Sequence, residues 1–206
     1  MNANASEGTG ATALAAAANH NAAHMPQHGS AGSQSASNST NSLRDNDNSY
    51  SVFELGGQYT TQRGENVELA QVAGEKTVVA FIYTSCQATC PLIVSALKRV
   101  EAGLTQAELA DVRFVLVTID PEHDTPQVLA RFAEERQLDT SRWTLLRGSA
   151  ATLRELAVSL DARYQPMGGG EIAHTNGFSI LDSQGRPLYH QPDFANVDGA
   201  LNAIRN

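Results

Sequence analysis

Cysteine, basic residues and long apolar runs are all scarce in this chain of 206 residues. It has two cysteines, and its 14 lysines and arginines against 22 aspartates and glutamates give a formal net charge of -8. This acidic balance argues against nucleic acid or anionic lipid as a main partner, because both favour basic surfaces. No apolar run reaches the roughly 18 residues of a membrane helix, so we expect no membrane span in this chain.

A secretion signal is also not recognisable. Residues 13–18 are too few and too weakly apolar for the hydrophobic segment of a signal peptide, and no basic segment precedes them. Two cysteines do not by themselves identify a compartment. If the protein is exported, we expect its targeting segment to be missing from this chain.

The first 49 residues are dominated by asparagine, alanine, serine and glycine. Such a composition cannot bury enough apolar surface to offset chain entropy, so we predict disorder over 1–49 and a folded domain over 50–206. The predicted tail contains His20, His24 and His28, with Met25 between them. Imidazole and thioether groups could collect copper weakly, whereas the alternative is a solvated tether in which they are incidental.

From residue 50 onward, the hydrophobic pattern alternates between strands and helices. Apolar runs rich in β-branched residues at 77–83 and 112–119 predict buried strands, and a helical period follows each of them. A short strand at 143–146, a helix after Ser149, a hairpin over 177–190 and a closing helix complete the order. A short hairpin, with strands at 52–55 and 67–69, precedes it. We therefore predict an α/β fold in which helices flank a central mixed sheet.

Both cysteines lie on the turn between the first core strand and its helix, in the sequence TSCQATCP at 84–91. Pro91 suits the first helical position, and the positive end of the helix dipole favours thiolate over thiol. The expected Cα separation falls within the roughly 4.4–6.8 Å that a disulfide tolerates. Two thiolates can instead bind a soft ion such as Cu(I) or Zn. The less specific alternative is a structural disulfide or a pair of inert buried thiols.

Three motifs in order make the chain from about residue 52 onward similar to the Sco/SenC proteins. That family has a Cys-x-x-x-Cys-Pro motif after its first core strand, matched here by Cys86 and Cys90. An Asp-Pro-x-x-Asp-Thr-Pro segment after the next strand is matched by residues 120–126. A single histidine before the late hairpin is matched by His174, and the turn of that hairpin by residues 182–185.

This resemblance implies a thioredoxin-like fold and a role as a copper chaperone and thiol–disulfide protein in cytochrome c oxidase assembly. It implies copper bound by Cys86, Cys90 and His174, and an oxidase subunit or another copper protein as acceptor, in the periplasm or another exported space. Cu(I) is favoured and Cu(II) is a second expected state. The chain has Gln87 and Ala88 where the family usually has Pro-Asp, and Ala173 where it commonly has an acidic residue. Both changes remove negative charge that would favour Cu(II).

The proposed ligand set would respond to redox state, because both sulfurs must be reduced for metal to bind. A disulfide between Cys86 and Cys90 would therefore exclude the ion. Residues 165–170 contain proline and three glycines, which predicts a mobile loop. We expect such a loop to let His174 swing in when metal arrives.

Other polar side chains near these motifs are expected to have supporting or no roles. Asp120 and Asp124 are predicted to end a strand and support a helix start, and to shape the site through hydrogen bonds. His123 and His190 are interpreted as surface residues. Met167 could offer a thioether ligand, but the favoured interpretation is a loop residue without a role in binding.

A second function uses the same redox pair, Cys86 and Cys90. A thiol–disulfide oxidoreductase would use it to reduce a disulfide on a partner such as an oxidase subunit. The three-residue gap differs from the Cys-x-x-Cys motif of thioredoxins, and no peroxiredoxin motif is recognisable. The two remaining functions differ in whether they need His174.

Overall fold

The computed structural model describes residues 50–168 and 171–206. The predicted disordered tail, with His20, His24 and His28, lies outside the described residues. The described helices are α1 (Cys90–Ala102), α2 (Gln106–Asp111), α3 (Pro126–Glu135), α4 (Ala150–Ser159) and α5 (Asp198–Arg205). The described strands are β1 (Gln58–Thr61), β2 (Asn66–Glu68), β3 (Lys76–Ile82), β4 (Val112–Thr118), β5 (Trp143–Gly148), β6 (Tyr164–Gly168), β7 (Glu171–His174), β8 (Phe178–Asp182) and β9 (Pro187–Gln191).

Seven strands form one mixed sheet in the order β2-β1-β5-β4-β3-β8-β9. The β3–β4 and β4–β5 pairs are parallel, and the other neighbours are antiparallel. This arrangement confirms the predicted central mixed sheet with flanking helices and an N-terminal hairpin. None of the described helices is both long and apolar enough to cross a bilayer.

The central strands are buried because their sequences are apolar on both faces. Every residue of β3 after Lys76 is buried, and β4 is buried except at Arg113. This is the pattern of parallel strands that are covered on both sides. Phe114 and Trp143 stack face to face across the β4–β5 pair, with ring centroids 4.5 Å apart. Helix α1 packs one apolar face onto this core, and Cys90 is the first residue of that helix.

The N-terminal hairpin differs in detail from the predicted one. Its strands are β1 and β2, whereas Val52–Leu55, predicted as the first strand, is a 3-10 turn. The Ser51 side chain accepts a hydrogen bond from the backbone N–H of Phe53, and Gly56 ends the turn at φ 65°. A local side-chain cap of this kind competes with extended backbone.

The prediction of a loop at 165–170 is wrong over 165–168, which belong to strand β6. Strand β6 pairs antiparallel with β7 in a separate two-stranded sheet, in which Tyr164 lies opposite His174. Both strands of a two-stranded sheet are edge strands. Pro166 is tolerated there because an edge strand does not need every backbone N–H for pairing. The register shifts between Pro166 and Gly168. His174 therefore lies at the end of a paired strand.

Candidate metal centre

Three predicted side chains meet in the folded chain. The two sulfurs of Cys86 and Cys90 and a ring nitrogen of His174 all lie within 4.8 Å of one another. The Cys90 Sγ lies 3.9 Å from His174 Nε2. Both cysteines are free thiols, and both are buried. The structure thus brings these residues together, and their roles as ligands stay a prediction.

The loop between β3 and α1 places the sulfurs. The Cys86 N–H donates to the Tyr83 carbonyl at 3.2 Å, which turns the chain directly after the strand. The Cys90 N–H then donates to Cys86 Sγ at 3.4 Å. The first backbone N–H of α1 therefore points at the Cys86 sulfur, as the exposed donors of a helix start allow.

The His174 ring is oriented by its backbone neighbour. Its Nδ1 lies 3.0 Å from the Thr175 carbonyl oxygen, which can only accept, so we assign the proton to Nδ1. In the neutral ring, the Nε2 lone pair then faces the sulfurs. Tyr83 packs against the ring edge-on, with centroids 5.9 Å apart and planes at 82°. The Tyr83 hydroxyl also lies 3.5 Å from the Ile172 N–H, on the same strand as His174.

Thr89 lies among the three ligand atoms, and sequence reasoning did not single it out. Its Oγ1 lies 3.5 Å from Cys86 Sγ and 3.4 Å from His174 Nε2. Thr89 is the N-cap of α1, yet its side chain makes no capping hydrogen bond. The only available signal in the sequence was its place between the two cysteines.

The pKa values of the two thiols are shifted in opposite directions. Burial alone would raise the pKa of Cys86, but hydrogen bonds from the Thr89 hydroxyl and from the Cys90 N–H lower that pKa to about 6. Burial raises the pKa of Cys90 far above its usual range, and the neighbouring Cys86 sulfur adds to that increase. Cys86 is 6% exposed and Cys90 0%. Cys86 is therefore the more acidic thiol of the pair, and Cys90 the less acidic one.

Asp124 anchors the start of the cysteine loop by hydrogen bonds. This carboxylate is 1% exposed and accepts hydrogen bonds from the Thr84 backbone N–H at 3.1 Å and from the hydroxyls of Thr84 and Thr118. It thus ties the start of the loop to the end of β4. Asp120 accepts from His123 Nδ1 at 2.8 Å. The Asp124 contacts agree with its predicted supporting role, and the role of Asp120 at the site stays a prediction.

The remaining candidates lie away from the three-residue cluster. His123 has 77% of its side chain exposed, and His190 is half-buried with Nδ1 3.2 Å from Ser179 Oγ. Met167 is 65% exposed on β6. Within the described part of the chain, neither histidine joins the metal-type cluster.

An open groove of about 640 Å³ is lined by residues of α4, of strands β6 and β7, and of the turn after β4. Its lining includes buried Leu153, the 73% exposed Val158, and Ile172. Ile172 and His174 are two residues apart on β7, so both point to the same side of that strand. The groove therefore reaches the strand that carries the imidazole.

Comparison with known proteins places this geometry in a family. The family model described as SCO1/SenC matches residues 47–206, which include the whole described domain. The chain belongs to the SCO1/SenC family. The SCO1 protein homolog of Bacillus subtilis is 32% identical over 133 residues, which cover 63% of this chain and 68% of that protein.

Solved structures of Sco proteins have the same thioredoxin-like fold. BsSco, described as a member of the Sco family of cytochrome c oxidase assembly proteins with a disulfide switch, matches with a TM-score of 0.62 and 29% identity. The match covers 72% of this chain and 88% of BsSco. Arabidopsis thaliana ScoI, solved with copper bound, matches with a TM-score of 0.60 at 22% identity, over 72% of this chain and 96% of ScoI. At that identity, the second match supports the fold alone.

Proposed function

We propose that this SCO1/SenC protein binds one copper ion through Cys86, Cys90 and His174 and delivers it during cytochrome c oxidase assembly. The observation that carries this proposal is the meeting of two reduced sulfurs and one imidazole nitrogen within 4.8 Å. The immediate acceptor would be an oxidase subunit or another copper protein. An exported space such as the periplasm is the compartment that this role requires.

The chemistry of the donor set favours Cu(I). Thiolate sulfur and imidazole nitrogen are soft and borderline ligands, which select copper and zinc over hard cations. The cluster contains no carboxylate among the described residues. Three donors leave an ion open on one side, where a ligand from an acceptor can enter. Cu(II) is the second state, admitted if water fills a fourth position.

Oxidation would switch this binding off. A Cys86–Cys90 disulfide uses both sulfurs, so the ion and the disulfide exclude each other. The relative BsSco is described as having a disulfide switch, which supports the same behaviour here. Copper loading would therefore follow the redox state of one pair of side chains.

The deciding experiment measures Cu(I) stoichiometry and affinity under reducing conditions. We expect one tightly bound ion per domain, and a loss of affinity by orders of magnitude in His174→Ala because one of three donors is removed. His123→Ala is the matched control, since this ring is exposed and lies outside the cluster. Equal Cu(I) affinity in wild type and His174→Ala would rule out the ligand set.

The alternative function is that of a thiol–disulfide oxidoreductase. The observation that favours it is the unequal pair of thiols, since an acidic Cys86 can attack a partner's disulfide and a buried Cys90 can resolve the mixed disulfide. Under this function, His174→Ala would keep its activity on a disulfide substrate. Tight Cu(I) binding would then be absent even in wild type.

The same titration tests the division of the chain. We propose that residues 50–206 form the copper-binding domain without help from 1–49. A chain that begins at residue 50 should then fold and keep one Cu(I) at unchanged affinity. If the full chain takes up a second, weaker ion, His20, His24 and His28 are its source, and their replacement by alanine should abolish that ion alone.

A further inference from the structure

The Thr89 hydroxyl contacts two of the three proposed ligands at once without being a ligand itself. Its oxygen lies 3.5 Å from Cys86 Sγ and 3.4 Å from His174 Nε2. It is half-buried, whereas its neighbours Gln87 and Ala88 in the same motif are exposed. The site therefore contains a fourth polar side chain that the ligand set does not explain.

The helix does not explain this hydroxyl either. A threonine at an N-cap normally accepts a hydrogen bond from a backbone N–H in the first turn. Thr105 does so at the start of α2, where its side chain accepts from the Glu108 N–H. Thr89 occupies the same position in α1 and makes no such bond. Its side chain is directed to the sulfur and the imidazole instead.

We propose that Thr89 is a positioning residue that stabilises the reduced, metal-free site by hydrogen bonding to the Cys86 sulfur and to the His174 ring. A hydroxyl carries a single proton, which it can donate to the sulfur or to the ring nitrogen. A Cys86–Cys90 disulfide makes the Cys86 sulfur a weaker hydrogen-bond partner, and a metal on His174 takes the Nε2 lone pair. Either event weakens the hydrogen bonding of the hydroxyl. Thr89 thus biases the site towards the empty dithiol. If the proposed function is right, the site returns to this state after it releases an ion and accepts the next ion from it.

The redox consequence can be measured in metal-free protein. Wild type, Thr89→Val and Thr89→Ser are equilibrated with glutathione and glutathione disulfide at constant pH and with a copper chelator. One glutathione disulfide oxidises the pair to the Cys86–Cys90 disulfide and leaves as two molecules of glutathione. Two electrons move to the reagent, which takes one proton from the Cys90 thiol and the other from Cys86 or, where Cys86 is ionised, from solvent. The fraction of oxidised protein gives the equilibrium constant.

Loss of the hydroxyl removes stabilisation from the dithiol and so favours the disulfide. For Thr89→Val, which keeps the shape of the side chain, we expect oxidation to become about tenfold more favourable, a potential lower by about 30 mV for this two-electron couple. Thr89→Ser restores the hydroxyl and should stay within about twofold of wild type, since serine donates similarly. If valine proves poorly folded, Thr89→Ala provides a second variant without the hydroxyl.

Two comparisons separate positioning from general damage. Thr105→Val removes a genuine N-cap bond far from the thiols, so it should lower stability and leave the potential unchanged. In a His174→Ala background, the hydroxyl has only the sulfur to bind, so the effect of Thr89→Val should grow by about threefold, as expected for contacting groups. A potential that is equal in wild type, Thr89→Val and Thr89→Ser would overturn the proposal, as would strict additivity with His174→Ala. The measurement contains no metal, so failure of copper binding would be seen separately.

Discussion

At the scale of single residues, the centre combines two thiols that have very different surroundings. The Cys86 sulfur receives a backbone N–H and lies beside a hydroxyl, whereas Cys90 is fully buried behind it. Donors directed at a sulfur stabilise its thiolate, and burial without them stabilises the thiol. Thiol–disulfide exchange would use such a pair as an attacking and a resolving thiol, whereas copper binding does not need the asymmetry.

The first prediction concerns the pH at which each thiol reacts. Because the pKa of Cys86 is lowered to about 6, its alkylation by iodoacetamide in metal-free protein should rise through about pH 6 and level off by neutral pH. Cys90, whose pKa is raised, should stay unmodified across this range. Peptide mass mapping reports the two sites separately. In denaturant both should titrate near the ordinary value of about 8.5, and native Cys86 titrating there would contradict the assignment.

The second prediction concerns Asp124, whose carboxylate accepts three hydrogen bonds while 1% exposed. In Asp124→Asn an amide group must face donors, so at least one buried donor loses its acceptor. We expect a loss of about 1–3 kcal/mol in the free energy of unfolding, measured by urea denaturation. Asp111→Asn, on an exposed side chain, is the control and should change it by less than about 0.5 kcal/mol. Equal stability in both variants would show that Asp124 is not an anchor.

Sequence patterns identified the ligand candidates but missed the groups that orient them. Cys86, Cys90 and His174 are typical metal-ligating residues and lie in motifs of the family. Their residue types and their order were therefore sufficient to identify them as candidates. The contact of Thr89 with both a sulfur and the imidazole ring depends on its rotamer and on a strand 85 residues further along the chain. A local sequence pattern cannot show such a contact. Tyr83 was taken only as part of an apolar run, although it packs on the His174 ring.

At the scale of elements, the strand that carries His174 is held at its C-terminal end. Tyr164 lies opposite His174 in the β6–β7 pair, and the Thr175 N–H donates to the Arg163 carbonyl at 2.8 Å. Gly177 then turns the chain into β8 with φ 144°. A Cβ at this position would collide with the Gln191 carbonyl oxygen. Only glycine fits here without moving the backbone.

The third prediction follows from this turn. Gly56→Ala introduces a side chain at φ 65° with open space around it, and should cost about 1 kcal/mol from backbone strain alone. Gly177→Ala should cost about 1–3 kcal/mol beyond that, because a methyl group must also displace backbone. Urea unfolding of the two variants gives the difference. Indistinguishable losses would mean that the β7–β8 turn adapts freely.

The elements that the sequence predicted well are those with a strong hydrophobic pattern. Strands β3 and β4 were found within one residue because β-branched runs at the centre of a parallel sheet are apolar on both faces. Strand β6 was missed because proline and glycine signal a loop locally, whereas pairing with β7 decides its structure. Helix α2 was missed although Thr105 and Glu108 form a capping box, a signal that was present in the sequence.

At the scale of the whole molecule, the metal centre joins distant parts of one chain. The sulfurs follow β3 in the seven-stranded sheet, and the imidazole ends β7 in the two-stranded sheet. An ion bound to all three side chains would therefore crosslink these two sheets. Since the unfolded chain does not hold the three donors together, binding energy adds to folding energy.

The fourth prediction is a copper-dependent gain in thermal stability. At a free Cu(I) concentration about 1,000-fold above Kd, the folded state should gain about 4 kcal/mol. For a domain of this size that corresponds to a rise in Tm of about 8–16 °C, measured by circular dichroism under reducing conditions. Removal of copper with a chelator should reverse it. The Cys86→Ser, Cys90→Ser double variant should show no rise, and an equal rise in that variant would point to binding elsewhere.

The separation of the donors between two sheets also has an evolutionary consequence. Substitutions in the small β6–β7 ribbon can alter how firmly the nitrogen donor is presented while the packed interior beneath the sulfurs stays the same. The rate at which cargo leaves can then be tuned for a new recipient with little risk to foldability. Relatives that share this interior would be expected to diverge most in the ribbon.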